Sequence, residues 1–256
     1  MAVSPTIAAA REYFPRGLFQ PRGSFRFSTD ALLLAAFVLR HCLAQSRPTP
    51  ILDLGCGCGV VGLACLLGES EATCLGVDMA PELVAAAEAN AASLGMNERF
   101  VAQQVHLVIE EECAAIPQTA FSVVAANMPY RAPGSGRLPK NAVRRAALFA
   151  ERETMPAFLR AARRALAPKG ALALVYPWDG LGELLAGMEK QKLFPSFILP
   201  VATKGVTPGL CLVRAEKEAP AREAAVAAPL VLRGKDGVYT GEAASFCPWL
   251  LSRSWG

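Results

Sequence analysis

The chain has 256 residues, with 26 Lys and Arg against 22 Asp and Glu, a net charge of +4 and a mean hydropathy of +0.30. At 53% hydrophobic residues it is too apolar for a disordered chain. Yet its longest early apolar run, Ala31 to Leu39, is nine residues, against the roughly 20 that a membrane-spanning helix needs. Residues 1–11 show no charged leader followed by a long apolar stretch, so no secretory signal is read and a cytoplasmic protein without a membrane role is expected. The mild positive charge permits a polyanionic partner without predicting one. Of the eight Cys, Cys56, Cys58, Cys65 and Cys74 fall inside apolar runs, no CxxC pair occurs, and His41 and His106 are isolated. Reduced structural thiols are therefore expected, and no metal site.

Residues 1–50 form an aromatic-rich lead-in that ends in a helix-like run from Ala31 to Leu43, with Asp30 or Ser28 as its N-cap. From there short apolar strands alternate with helix-like segments. Ile51-Leu52-Asp53 closes a strand, Gly55 to Gly59 is a glycine loop, and Val60 to Leu67 is helical. Thr73 to Val77 is a strand ending at Asp78, and Pro81 to Leu94 is a helix with Pro81 in its first turn. A third strand is needed near Phe100–Ala102 or Val105–Ile109, and periodicity leaves both open. Phe121 to Ala126 is a strand ending at Asn127. Thr154 to Leu166 is a helix, Pro168-Lys169-Gly170 a turn, and Ala171 to Tyr176 a strand. Gly182 to Lys192 is helical, and strands follow at Phe197–Val201 and Leu210–Arg214. Such alternation, with near-continuous apolar strands, predicts a parallel sheet covered on both faces. The expected organisation is a core over 51–215, a linker over 216–229 rich in Ala and Glu, and a small C-terminal extension over 230–256 with a turn at Lys235-Asp236-Gly237.

The loop Asp53-Leu54-Gly55-Cys56-Gly57-Cys58-Gly59 joins a strand to a helix. Its glycines admit positive φ and let backbone N–H groups approach a ligand, and the helix terminus offers further free N–H groups. Asp78, ending the next strand, suits two ribose hydroxyls. Gly57 to Gly62 also satisfies GxGxxG, which allows a dinucleotide. Asp53, two residues before the first glycine, would repel a diphosphate and suits a cationic amino-acid group instead. The Asp53–Gly59 pattern resembles motif I of class I S-adenosylmethionine (SAM) methyltransferases, and Asp78 their acidic ribose position.

Asn127-Met128-Pro129-Tyr130 follows a strand at the edge where doubly wound sheets bind ligands. It is similar to the (N/D)PP(Y/F) motif of methyltransferases that act on planar amino nitrogens. The lone pair of such a nitrogen is delocalised, and two acceptors on its N–H bonds favour a tetrahedral form with the pair available. The resemblance assigns those acceptors to Asn127 and the carbonyl of Met128, and base stacking to Tyr130. Met128 stands where the family has proline. The carbonyl chemistry survives that change, and the rigidity of the ring is lost, although Pro129 still biases Met128 to the extended region.

Further segments narrow the family. Gly23 to Leu34, the stretch Arg131 to Arg137, Glu151 and the tail from Pro229 to Pro248 resemble the bacterial tRNA(Val) adenine-37 N6-methyltransferases over nearly the whole chain. That resemblance implies a Rossmann-like fold with a mostly parallel seven-stranded sheet, its last strand antiparallel. It implies SAM as cofactor, held by Asp53, Gly55, Gly57, Gly59 and Asp78. It further implies an adenine N6 in RNA, a tRNA by the family, as the methyl acceptor. The family's adenine-ring contact after the third strand falls on Gln103 or Gln104. Arg22, Arg26, Arg131, Arg137, Lys140, Arg144 and Arg145 flank the two sites as a candidate phosphate rim, and Phe25, Phe27 and Trp178 read first as core, with base stacking as the alternative. Three other readings use the same residues: transfer to a protein glutamine amide, a catalytically weak SAM-binding module, and a nicotinamide oxidoreductase.

Overall fold

The computed structural model describes residues 5–24, 26–43, 49–129, 154–218 and 223–251. Tyr130, Glu151, Phe25 and the basic residues from Arg131 to Arg145 lie outside the described residues. The lead-in carries α1 (Pro5–Tyr13) and α2 (Thr29–His41). The alternating core follows as β1 (Thr49–Leu54), α3 (Val60–Gly68), β2 (Ala72–Asp78), α4 (Pro81–Ser93), β3 (Phe100–Gln104), a short α5 (Glu110–Cys113) and β4 (Phe121–Ala126). Then come α6 (Thr154–Ala165), β5 (Leu166–Pro177), α7 (Leu181–Lys190), β6 (Phe194–Lys204) and β7 (Leu210–Glu216). The chain closes with β8 (Ala225–Val226), β9 (Leu230–Arg233), α8 (Gly241–Phe246) and a 3-10 turn at Pro248–Leu251.

The sheet runs β3-β2-β1-β4-β5-β7-β6. Strands β1 to β5 are mutually parallel, and β7 runs antiparallel between β5 and β6. These are the seven strands of the Rossmann-like expectation. Two short strands extend the sheet: β8 and β9 pair in parallel with successive parts of β6, Phe197 opposite Ala225 and Val201 opposite Leu230. β8 falls inside the stretch read as a linker. Of the two candidates for the third strand the chain uses the first, with Phe100 opposite Cys74 and Gln104 opposite Asp78. The expected turn Pro168-Lys169-Gly170 is absorbed into β5 instead. Leu166 is fully buried and already opposite Phe121, so the tripeptide bulges out before Ala171 pairs with Val123.

Strand order reverses at β1, whose neighbours β2 and β4 carry connections to opposite faces. That crevice, at the carboxyl ends of the strands, is where ligands enter open α/β sheets. Two apolar clusters cover the faces, one built with α2, α3 and α4 and the other with α6 and α7. α2 is capped by Ser28, whose Oγ accepts from the Asp30 N–H at 3.3 Å. All eight residues from Ala31 to Val38 are buried, as a helix apolar all round must be. Strands β4, β5 and β7 and helix α3 pack on it from within, and α8 and the last 3-10 turn from without. The Phe14 ring meets Trp249 edge-on at 5.8 Å, and the Cys247 thiol donates to the Leu32 carbonyl. Lead-in and C-terminal segment thus pack as one layer.

All eight cysteines are buried free thiols. Burial pushes the Cys58 thiol up to about 12, and Cys56 also well above the usual thiol range, so both are neutral at physiological pH. Among the described residues no helix is long and apolar enough to cross a membrane, and no group of three or more His, Cys, Asp or Glu could hold a metal ion.

Candidate active site

The glycine loop turns between β1 and α3 with Gly55, Gly57 and Gly59 all at left-handed φ, +69°, +56° and +85°. The end of β2 holds it. The N–H groups of Gly55 and Cys56 donate to the Val77 carbonyl at 2.8 and 3.0 Å, and the Gly57 N–H donates to Asp78 Oδ2 at 2.9 Å. No atom lies within 4 Å of where a Gly57 Cβ would stand. Gly57 is therefore required by its φ and not by packing, and it leaves open space in the cavity.

A cavity of about 480 Å³ opens above this loop. Gly55, Gly57, Asp78, Asn127 and Pro129 line it, together with Phe158. Phe158 presses on the loop, its ring edge 3.1 Å from the position of a Gly55 Cβ. Both Asp78 oxygens are engaged once by backbone, Oδ1 from Ala80 at 3.0 Å and Oδ2 from Gly57. Each keeps acceptor capacity toward the cavity. Burial raises the Asp78 pKa, and the bonds from Ala80 and Gly57 oppose that rise. Such a carboxylate is equipped to receive a pair of vicinal hydroxyls.

Three of the residues read from the sequence as ligand contacts take other places. Asp53 is only 1% exposed and is absent from the cavity wall. Its Oδ2 accepts from the Gly62 N–H at 2.9 Å, so the carboxylate fixes the first turn of α3. Gly62 is needed there because a Cβ would stand 2.6 Å from Cys74 Sγ on β2. Gly59 faces packing too, with Ala87, Leu63 and Phe100 each 3.2 Å from its would-be Cβ. Gln104 is exposed and donates to the Met79 carbonyl at 3.2 Å. The wall after β3 is instead made by Val105, His106, Leu107 and Val108, the residues that follow the glutamines.

Burial raises the Asp53 pKa to about 7, with the Gly62 hydrogen bond opposing the rise and the Asp78 charge adding to it. The folded chain keeps this proton to about pH 7, whereas the unfolded chain releases it near 3.8. Between those values the folded state binds more protons, so stability falls as pH rises through the window and levels off above it. Asp53→Asn retains an acceptor for Gly62 and cannot ionise. Thermal melts across the window should show the variant losing less stability than the parent, and parallel curves would refute the assignment.

Another part of the cavity wall is made by the chain leaving β4. Asn127 and Pro129 line it, and Met128, 1% exposed, packs its side chain back into the core under α6. Among the described residues no hydrogen bond engages the Asn127 side-chain amide. Its oxygen is thus an acceptor available on the wall that the glycine loop shares.

The sequence reading took Phe27 first as core and passed over Ala31, Thr154 and Phe158 as lining residues. Phe27 and Ala31 bring the lead-in to the cavity, while Phe158 and Thr154 open α6 against it. It also passed over Asn90, which is 2% exposed on α4. The signal was present: Leu83, Ala86, Ala87, Asn90 and Leu94 share one helical face, and a polar residue among them has to be satisfied internally.

The methyltransferase-domain family matches residues 45–199. The tRNA1(Val) (adenine(37)-N6)-methyltransferase of Porphyromonas gingivalis is 28% identical over 182 residues, 70% of this chain and 69% of the relative. The release factor glutamine methyltransferase of Bordetella pertussis is 32% identical over 157 residues, 59% of this chain and 55% of the relative. Among solved structures, a "predicted O-methyltransferase" from Agrobacterium tumefaciens superposes with a TM-score of 0.66 at 19% identity, covering 86% of this chain and 96% of that one. A putative class I SAM-dependent methyltransferase from Listeria monocytogenes gives 0.62 at 14%, covering 89% and 74%. With the sheet order, the glycine loop and the strand-end Asp78 above, the chain belongs to the methyltransferase-domain family, as a class I SAM-dependent enzyme resembling the tRNA1(Val) adenine-37 N6-methyltransferases.

Proposed function

We propose that the protein transfers a methyl group from S-adenosylmethionine to the exocyclic N6 amine of an adenine in RNA, and that the RNA is a tRNA. The observation that carries this reading is the Asn127 amide, without a hydrogen-bond partner among the described residues and on the wall of the same cavity as Gly57 and Asp78. The residues present fit the donor. Gly57 leaves open space beside the loop, and the Asp78 carboxylate has spare acceptor capacity for ribose hydroxyls. S-adenosylmethionine supplies a methyl already activated by a sulfonium charge, so alignment matters more than a strong base. Asn127 Oδ1 and the Met128 carbonyl accept from the two N–H bonds of the target amine and free its lone pair. Tyr130, outside the described residues, is assigned to stacking on the base.

Radiolabelled methyl transfer to bulk tRNA, followed by nucleoside mass spectrometry, tests this reading. Label recovered as N6-methyladenosine is expected. Label in protein and none in tRNA would overturn it. That outcome belongs to the second reading, a protein glutamine amide, which carries the same planar NH2 and which the Bordetella pertussis relative's name brings forward. Including a peptide-chain release factor in the assay separates the two.

Asp78→Ala removes the ribose acceptors and orphans the Gly57 and Ala80 donors. Hydrogen bonds to a charged group contribute about 1.5–3 kcal/mol each. Affinity for S-adenosylhomocysteine, measured by titration calorimetry, is expected to fall roughly 30-fold or more. An unchanged affinity would remove Asp78 from the cofactor site.

A further inference from the structure

Asn90 is buried on α4 with every amide group used by main chain from two different parts of the sequence. Its Oδ1 accepts from the Phe19 N–H at 2.7 Å. Its Nδ2 donates to the Phe19 carbonyl at 3.0 Å and to the Cys58 carbonyl at 2.9 Å. Cys58 belongs to the glycine loop, one residue beyond Gly57, and Phe19 belongs to the lead-in. The line continues past Phe19: Gln20 Oε1 accepts from the Phe27 N–H at 3.2 Å, and Phe27 lines the cavity. A single side chain therefore joins the glycine loop to the segment that supplies Phe27 and Ala31 to the wall of the same cavity.

Only an amide does this. Two donors meet two carbonyls and one acceptor meets one N–H, so the three bonds fix which end of the Asn90 amide is oxygen. Among the apolar neighbours Leu83, Ala86, Ala87 and Leu94, a buried amide costs free energy unless fully bonded. Helix packing alone would be served by Ala or Leu at this position.

We propose that Asn90 is a positioning residue for the methyl-transfer reaction. It latches the lead-in to the glycine loop, so that the wall carrying Phe27 and Ala31 and the loop carrying Gly57 assemble as one binding site for the methyl donor. The lead-in is then an integral part of the cofactor site, not an appended substrate-recognition segment. The proposal rests on the cavity being the donor's site.

Two measurements test it. In the first, Asn90→Asp keeps the size and the acceptor for Phe19 N–H, but sets a carboxylate oxygen against the Phe19 and Cys58 carbonyls. Well below the melting temperature of the variant, its affinity for S-adenosylhomocysteine should fall at least about tenfold. KM for the donor should rise while kcat changes far less. A lowered melting temperature with S-adenosylhomocysteine affinity unchanged would make Asn90 merely structural and overturn the proposal. In the second, amide hydrogen exchange on the unaltered protein, which needs no variant to fold, should show S-adenosylhomocysteine slowing exchange in residues 17–20 together with residues 55–59. Slowing confined to the glycine loop would overturn the latch alone. Failure of the unaltered protein to bind S-adenosylhomocysteine at all would overturn the donor assignment and the latch with it.

Discussion

Asn127→Ala is expected to lower kcat for methyl transfer by roughly 10²- to 10³-fold while leaving S-adenosylhomocysteine affinity within about twofold. The side chain lines the cavity where the acceptor is proposed to sit and carries no bond that the fold depends on among the described residues. The fold should therefore survive its loss. The reaction proposed above should not, because the exocyclic nitrogen of an adenine gains nucleophilicity when its N–H bonds are held away from the ring plane. Asn127→Asp keeps an acceptor oxygen and should recover part of the rate. Single-turnover assays with saturating donor, run beside calorimetry, separate the two effects. A large loss of donor affinity with kcat unchanged would place Asn127 with the cofactor and leave the amine without its holder.

The carboxyl edge of the sheet was legible because parallel strands covered on both faces read as unbroken apolar runs, and a polar residue ends each run. Asp53, Asp78 and Asn127 announce themselves in this way. Which way each then turns is a tertiary matter. Asp78 meets the cavity, whereas Asp53 meets the Gly62 N–H, because the first turn of α3 lies close on the sheet, with Gly62 against Cys74 of β2 and within reach of Asp53. Strand β3 was ambiguous for a physical reason: at the sheet edge, with Val101 half-exposed and Gln103 and Gln104 facing solvent, it lacks the continuous apolar run of the central strands. The contribution of the lead-in was illegible for another. Phe27 and Ala31 are apolar residues in an apolar setting, and only the path of the chain separates a core position from a cavity wall. Asn90 is the instructive case. Its place on a buried helical face was visible, but its partners, Phe19 and Cys58, lie 71 and 32 residues away.

Met128 presents the sharpest contrast between the family pattern and this chain. Proline at that position would fix φ. Methionine leaves φ freer but gives the segment an anchor, since its side chain is buried to 1% exposure in the cluster that holds Leu54, Val124 and Phe158. Burial of an unbranched apolar side chain immobilises the backbone between Asn127 and Pro129 by packing where a ring would do so by covalent geometry. Met128→Ala should therefore cost about 2–5 kcal/mol of stability and also slow methyl transfer, because the carbonyl proposed to accept from the amine loses its anchor. Met128→Leu, which conserves volume, should cost less than about 1.5 kcal/mol and keep most of the activity. Met128→Pro recreates the family's ring but empties part of the core, and the expected result is a lower melting temperature with no gain in kcat. Denaturant melts and initial rates on the three variants decide the matter. A proline variant that is faster than the parent and equally stable would mean that rigidity at this residue was missing all along, and that the buried side chain does not replace it.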